Sequence, residues 1–143
     1  MQDFIAFATQ NWVLFMTLLF VFTMILFEEF SRRTRGYEDI APEQATRVIN
    51  HDDAVLLDVR DDKEYRQDGH INDSIHIPLG DLQRRMEELD KYKGKPVIAY
   101  CRSGHRSRGA LSMLKREGFE TLYNLGGGIM AWQNANLPVS RKK

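Results

Sequence analysis

The feature that most limits how this chain can fold is a run without charged residues, positions 4–27, close to the N-terminus. At a helical rise of about 1.5 Å per residue, such a run reaches roughly 36 Å, more than a bilayer core of about 30 Å. Polar residues at 9–11 interrupt the run, and Trp12, a residue type common at membrane interfaces, follows them. We therefore predict one transmembrane helix over residues 4–30.

A buried core helix and a cleaved signal peptide are the two alternatives for this segment. The run is apolar on every face, whereas a helix on a small domain presents only one apolar face to the core. Residues 1–3 contain no Lys or Arg, and residues 27–30 lack the small side chains of a cleavage site. The sequence therefore favours an uncleaved anchor.

The flanking charges predict the orientation of this anchor. No Lys or Arg precedes it, whereas Arg32, Arg33 and Arg35 follow it closely. The positive-inside rule then places the C-terminal side in the cytoplasm. The single cysteine, Cys101, agrees with a reducing compartment. We expect residues 31–36 to form a short polar tether between the anchor and a cytoplasmic domain.

Composition and residue spacing exclude several classes of protein. Lys+Arg and Asp+Glu both number 20, so no nucleic-acid partner is indicated. One cysteine excludes an intrachain disulfide and a cysteine-rich zinc site, and the four histidines have no metal-ligand spacing. The glycines at 126–128 lack the Lys-Ser/Thr of a nucleotide loop. We therefore expect neither a metal nor a cofactor.

Beyond the tether, apolar runs alternate with amphipathic segments. Strands are predicted at residues 54–59, 74–78, 96–100 and 121–125. Helices are predicted from Pro42 onward and over residues 61–67, 81–92, 107–117 and 129–134. This alternation predicts an α/β domain with a mostly parallel sheet over residues 37–139. A basic tail, residues 140–143, ends the chain, and its last three residues are expected to be disordered.

Cys101 lies between the predicted strand 96–100 and the helix that follows it. The first N–H groups of a helix have no intrahelical partner, and together with the helix dipole they favour an anion. Arg102, Arg106 and Arg108 add positive charge to the same loop. Such surroundings lower the pKa of a thiol and make it a nucleophile at neutral pH.

Five motifs in order resemble the rhodanese (sulfurtransferase) domain: LDVR at 57–60, EY at 64–65, GHI at 69–71, CRSGHRS at 101–107 and GGGIMAW at 126–132. The chain as a whole is similar to the membrane-anchored single-domain rhodaneses of bacteria. This resemblance implies a five-stranded, mostly parallel α/β domain flanked by helices and preceded by one transmembrane helix in the inner membrane. It also implies that Cys101 accepts sulfane sulfur from a donor such as thiosulfate and passes it to a thiophilic acceptor.

The substrate-binding residues are expected to follow the cysteine directly. Backbone N–H groups of this loop can hold the anionic persulfide, and Gly104 allows the loop to curl back. Arg102 and Arg106 can orient an anionic donor, and Ser103 can add a hydroxyl donor. His105 departs from the Asn or other small polar residue that is common in relatives, so it can alter the choice of donor.

Four residues separate Cys101 from Arg106, and this count bears on the reaction class. Cysteine-based phosphatases use a similar loop with five intervening residues, in what resembles a larger cradle for phosphate. Arg108 does not restore that spacing. The shorter loop favours one sulfur atom over a phosphoryl group, and disfavours a phosphatase or an arsenate reductase.

Two residues are predicted to support the loop. Asp58 either forms a hydrogen bond near the active loop or ties its strand end to nearby backbone or to Arg60. Arg60 and Glu64 are expected to pair beneath the loop. We interpret His70 as structural and Trp132 as part of the core.

Two hypotheses from different classes remain. The first is a membrane-anchored sulfurtransferase with a small sulfur donor and acceptor. The second is an adaptor domain that binds membrane-protein or translocation partners with little catalysis. The cysteine loop favours the enzyme, whereas the anchor favours a membrane-protein partner or a membrane-local donor.

Overall fold

The computed structural model describes residues 1–141 and divides into an N-terminal unit, Met1–Arg35, and a second unit that begins at Gly36. The first unit contains two helices, α1 (Gln2–Gln10) and α2 (Trp12–Arg35). By length and composition, α2 is able to cross a membrane, and none of its residues is buried.

The N-terminal unit differs from the prediction at both ends of the anchor. The predicted helix, residues 4–30, is broken at Asn11, whose backbone N–H and side-chain Nδ2 both donate to the carbonyl oxygen of Phe7, at 3.0 and 2.9 Å. At the other end, α2 continues to Arg35, so residues 31–35, predicted as a tether, are helical.

The second unit is built on one sheet of five parallel strands. They are β1 (Glu38–Ile40), β2 (Val55–Asp58), β3 (Ile75–His76), β4 (Val97–Tyr100) and β5 (Leu122–Leu125). Their spatial order is β1-β5-β4-β2-β3, and every pairing in the sheet is parallel. The predicted α/β fold with a five-stranded parallel sheet is confirmed.

Helices cover both faces of this sheet. They are α3 (Pro42–Asp52), α4 (Asp62–Gln67), α5 (Leu79–Leu82), a 3₁₀ helix (Met86–Tyr92), α6 (Arg106–Arg116) and α7 (Gly128–Asn134). The single helix predicted over residues 81–92 is wrong, because α5 ends at Leu82 and the 3₁₀ helix begins four residues later. Leu82, Met86 and Leu89 are nevertheless buried together.

The core lies in two layers because successive strand residues point to opposite faces of the sheet. Leu57 and Ala99 belong to one buried cluster, and Leu56 and Ile98 belong to the other. Trp132 is buried in the second cluster, as predicted. The neighbouring strands β2 and β4 are therefore covered on both faces, which explains the apolar runs at residues 55–57 and 97–100.

The C-terminal segment is attached to the domain at Ser140. Its backbone N–H donates to the carbonyl oxygen of His70 at 2.7 Å, and the N–H of His70 donates back at 2.8 Å. Ser140 is thus paired, although the prediction assigned it to the basic tail. Of the three residues predicted to be disordered, 142 and 143 lie outside the described residues.

A buried ion pair between Asp58 and Arg60 lies at the C-terminal end of β2. The guanidinium of Arg60 donates to both carboxylate oxygens of Asp58 at 2.7–3.1 Å, and also to the carbonyl oxygen of Gly69 at 2.7 Å. The two side chains are 1% and 0% exposed. Asp58 therefore ties a strand end to Arg60, one of its two predicted roles, whereas the predicted pair between Arg60 and Glu64 is wrong.

Removing one partner of this pair should strongly destabilise the domain. Arg60→Ala leaves the Asp58 carboxylate buried without a counter-charge, so the free energy of unfolding should fall by about 3–5 kcal/mol. Urea denaturation of the fragment that begins at Gly36 measures this. Arg84→Ala, in an ion pair whose arginine is 76% exposed, is the control and should change stability by less than about 1 kcal/mol. A loss of similar size in both variants would contradict the assigned role of Arg60.

Candidate active site

Cys101 directly follows β4, the central strand, at the carboxyl edge of the sheet where ligands bind in open α/β folds. The residue is 1% exposed. The backbone N–H of Gly104 donates to its sulfur at 3.1 Å, and the hydroxyl oxygen of Ser107 lies 3.6 Å from it. The loop between β4 and α6 therefore curls around the sulfur atom.

Gly104 makes this curl feasible. Its φ is +89°, in the left-handed region that favours glycine. A Cβ at this position would lie 3.1 Å from the carbonyl oxygen of Leu125 and 3.3 Å from the backbone nitrogen of Gly127. The loop thus packs directly against the backbone that follows β5, and a side chain at Gly104 would push the two apart.

The start of α7 holds the other side of the loop. The N–H of Ile129 donates to the carbonyl oxygen of Cys101 at 2.9 Å, and that of Met130 donates to Arg102 at 3.2 Å. A Cβ on Gly128 would collide with both of these carbonyl groups. As predicted, the glycines at 126–128 let the backbone pass close to the active loop, and the loop carbonyls bind α7.

These surroundings shift the ionisation of the thiol. Burial by itself raises the pKa of Cys101, because it disfavours the charged form. Hydrogen bonds from the backbone N–H groups of Ser107, Ser103 and Gly104 favour the thiolate, and so does the hydroxyl of Ser107 when its proton turns to the sulfur. The second effect is larger, so the pKa of Cys101 lies below its ordinary value, as a nucleophile requires.

The predicted substrate-binding residues divide into two groups. Arg102, Ser103 and His105 are exposed, and Arg102 forms no ion pair with any residue from 1 to 141. Arg106 instead makes two hydrogen bonds to the carboxylate of Glu64, at 2.7 and 2.8 Å. The guanidinium of Arg106 therefore connects the loop to α4, which leaves Arg102 as the free cation of the loop.

Sequence reasoning missed a polar network beneath the loop. The hydroxyl of Ser107 donates to Oδ1 of Asn124 at 2.5 Å. Nδ2 of Asn124 donates to the Asp39 carboxylate at 2.7 Å and to the carbonyl oxygen of Gly104 at 3.2 Å. The available signal was the single amide in the otherwise apolar strand β5.

An aromatic stack supports the neighbouring α4. The ring of Tyr65 lies between those of His70 and His76, with centroids 4.0 and 4.1 Å away. Nε2 of His76 also forms a hydrogen bond with the carbonyl oxygen of Arg60 at 2.8 Å. The burial and stacking of His70 agree with the structural role predicted for it. No group of three or more potential metal ligands occurs within the described range 1–141.

The sequence profile of the Rhodanese-like domain matches residues 41–135. The fold, the cysteine loop and this match agree, and the chain belongs to the rhodanese-like family. The resemblance seen in the five motifs is thereby confirmed.

Several known proteins are similar over most of the chain. The Uncharacterized protein YibN of Escherichia coli (strain K12) is 31% identical over 144 residues, covering 100% of both chains. The Thiosulfate sulfurtransferase GlpE of Actinobacillus pleuropneumoniae (strain L20) is 33% identical over 72% of this chain and 93% of its own. The crystal structure of a rhodanese-related protein from Thermoplasma volcanium has a TM-score of 0.66 and 28% identity, over 74% of this chain and 100% of that one. The family thus includes sulfurtransferase homologues.

The ion pair between Glu64 and Arg106 should make stability depend on pH. The hydrogen bonds from Arg106 lower the pKa of Glu64 from 4.5 to about 2. Since the folded pKa is depressed, the ion pair stabilises the fold fully above pH 4.5, and this contribution is lost as the pH falls towards 2. Glu64→Gln should therefore cost about 2 kcal/mol at pH 7 and much less near pH 2.

Urea denaturation of the fragment that begins at Gly36, at a series of pH values, checks this expectation. Glu87→Gln, which removes a carboxylate from an exposed position, is the matched control and should show no such trend. A constant difference between wild type and Glu64→Gln from pH 7 to pH 2 would show that the ion pair does not contribute as proposed.

Proposed function

We propose that this protein is a membrane-anchored sulfurtransferase that carries sulfane sulfur as a persulfide on Cys101. The observation that supports this most directly is the sulfur of Cys101 enclosed by a loop whose N–H of Gly104 lies 3.1 Å from it. Membership of a family with sulfurtransferase homologues agrees with this chemistry.

The reaction has two steps with the same nucleophilic displacement at sulfur. First, the thiolate of Cys101 attacks the terminal sulfur of a donor such as thiosulfate. A new S–S bond forms, the S–S bond of the donor breaks, and sulfite leaves with the bonding electrons. Second, a thiophilic acceptor such as cyanide attacks the outer sulfur of the persulfide, and Cys101 leaves as a thiolate. No external oxidant or reductant is needed, and the site returns to its starting state.

The loop supplies what an anionic intermediate requires. Backbone N–H groups around the sulfur can donate to the persulfide, as in an anion-binding nest. Arg102, exposed at the same loop, can attract and orient an anionic donor, and His105 can influence which donors are accepted. Arg106 contributes indirectly, because its ion pair with Glu64 fixes the end of the loop.

The position of Arg106 also bears on phosphoryl chemistry. A phosphatase of this kind needs an arginine that faces the oxygen atoms of the phosphoryl group, and Arg106 is bound to Glu64 instead. Together with the four-residue spacing between Cys101 and Arg106, this supports sulfur transfer over phosphate hydrolysis.

The first prediction from this proposal is that Cys101 is required for sulfur transfer. The protein should form thiocyanate from thiosulfate and cyanide, and incubation with thiosulfate alone should add the mass of one sulfur atom to Cys101. Cys101→Ser should abolish both, because a hydroxyl is a poor nucleophile at neutral pH and cannot form a persulfide. Thiocyanate release and mass spectrometry of the intact protein are the measurements.

A displaced thiol is the matched control for this experiment. The double variant Cys101→Ser/Glu120→Cys keeps one cysteine but moves it to an exposed position outside the loop, and it should transfer no sulfur. If wild-type protein forms no thiocyanate and gains no sulfur from any sulfane donor, the enzyme proposal is wrong and the adaptor hypothesis is favoured.

The proposal for location is a single-pass protein of the bacterial inner membrane with its C-terminal domain in the cytoplasm. The helix α2 is long and apolar enough to span a bilayer, and its last turn carries Arg32, Arg33 and Arg35. These arginines support a cytoplasmic C-terminal side through the positive-inside rule. The YibN protein of Escherichia coli aligns with the whole chain, including this helix.

Cysteine labelling in intact bacterial cells tests this orientation. With Cys101→Ser as the background, Glu120→Cys should resist a membrane-impermeant maleimide until the cells are lysed. Asp3→Cys in the same background should react before lysis, because it lies on the other side of the proposed span. Labelling of Glu120→Cys alone in intact cells would reverse the orientation, and equal labelling of both before lysis would exclude a single span.

A further inference from the structure

A chain of hydrogen bonds leads from the surface to the sulfur of Cys101. It begins at Asp39 on β1, passes through Asn124 on β5 and reaches Ser107 on α6. The last step joins Oγ of Ser107 to Sγ of Cys101 over 3.6 Å. Asn124 and Ser107 are both 0% exposed, so neither side chain contacts bulk solvent.

The orientation of the Asn124 amide follows from its neighbours. Nδ2 lies 2.7 Å from the carboxylate of Asp39 and 3.2 Å from the carbonyl oxygen of Gly104. Both are oxygens that only accept, so the NH₂ group must face them. Oδ1 therefore faces Ser107, and the bond of 2.5 Å between them requires Ser107 to donate its proton.

A serine hydroxyl has one proton to donate, and this fixes what it offers to the sulfur. While its proton is bound to Asn124, Ser107 presents only lone pairs to Cys101. That arrangement suits a thiol, which can donate its S–H to the hydroxyl oxygen. A hydrogen bond from Ser107 to the thiolate requires the hydroxyl proton to turn towards sulfur, which leaves the buried Oδ1 of Asn124 without a donor at a cost in free energy.

We propose that Asn124 is a positioning residue that holds the hydroxyl proton of Ser107 away from Cys101 until Cys101 loses its own proton to solvent. The hydroxyl then turns to the sulfur and donates to the thiolate. This inference rests on the proposed function for its purpose, which is to keep part of the resting Cys101 as the less reactive thiol. The loop N–H groups favour the thiolate, and Asn124 opposes them.

The charged groups of α6 near this chain are paired with carboxylates. Arg106 on α6 binds Glu64 on α4, and Arg108 on α6 lies 3.8 Å from the carboxylate of Asp39. Leaving both arginines unchanged keeps their effect on the thiolate similar in Asn124→Ala and Ser107→Ala, whereas Asp39→Ala also releases Arg108 and is therefore compared only between the two Ser107 backgrounds. Arg102 and His105 are the remaining charged or titratable side chains of the loop, and both are left unchanged.

The test is the pH dependence of the alkylation of Cys101 by iodoacetamide, measured on the full-length chain in detergent. The chain has one cysteine, so the reaction reports on that residue alone. Asn124→Ala frees the Ser107 hydroxyl to donate to sulfur, so the midpoint should fall by about one pH unit. In a Ser107→Ala background the same substitution should leave the midpoint unchanged, because no hydroxyl proton remains to be released.

The double-mutant comparison separates positioning from a general loosening of the loop. An unchanged midpoint in Asn124→Ala, or an equal shift in the presence and absence of Ser107, would overturn the proposal. If Asn124→Ala does not fold, Asp39→Ala is the second variant. Without the Asp39 carboxylate, the amide of Asn124 can turn its NH₂ group towards Ser107, which releases the hydroxyl proton. The alkylation midpoint should therefore shift more with Ser107 present than in the Ser107→Ala background, where only the loss of the Asp39 charge acts. Equal shifts would again overturn the proposal.

Alkylation does not depend on sulfur transfer, so the two proposals fail separately. A protein that takes up no sulfur but shows the Ser107-dependent shift would contradict the proposed function and leave the role of Asn124 intact. A protein that transfers sulfur but shows no such shift would contradict only the role of Asn124.

Discussion

The site depends on a close backbone contact between the cysteine loop and the start of α7. The carbonyl oxygens of Cys101 and Arg102 accept hydrogen bonds from the N–H groups of Ile129 and Met130. Because these carbonyl groups point to α7, the N–H groups of the loop are free to face the sulfur. Only glycine at 128 allows the two backbones to approach this closely. The orientation of the loop peptide groups thus sets the electrostatic environment of the sulfur, and side chains such as Ser107 modify it.

Ion pairing determines which charged side chains around the loop remain available to a ligand. The chain has equal numbers of acidic and basic residues, so its net charge does not attract an anion. Arg60 is bound by Asp58 and Arg106 by Glu64, and both pairs fix backbone segments around the loop. Arg102, which directly follows Cys101 in the chain, is left as an exposed cation. In the proposed reaction, recognition of an anionic donor therefore depends on Arg102 and on the N–H groups of the loop.

The sequence predicted the strands that are buried on both faces, because uninterrupted apolar runs such as 96–100 are typical of parallel strands covered on both sides. It could not reveal β1, Glu38–Ile40, through its pattern, because two of its three residues are exposed. The periodicity over residues 81–92 suited a helix, yet the spacing of Met86 and Leu89 suits a 3₁₀ turn equally well. The partner of Arg60 was mistaken because Glu64 is close in sequence, whereas tertiary structure brings Arg106 to Glu64 and leaves Arg60 to Asp58. The motifs located the cysteine loop, but the role proposed for Asn124 depends on contacts between three segments that are distant in sequence.

The burial of Cys101 has a geometric consequence for the proposed reaction. At 1% exposure, Cys101 has almost no surface in contact with solvent, so a donor must bring its terminal sulfur into the loop. A persulfide adds an S–S bond of about 2 Å, so the reactive sulfur of the loaded protein lies farther out than that of the empty one. The leaving group of the donor and the attacking acceptor both contact this outer sulfur rather than the thiol of Cys101. A bulky acceptor that never reaches the thiol can still remove the outer sulfur. The persulfide would then present a single sulfur atom to an acceptor too large to enter the loop.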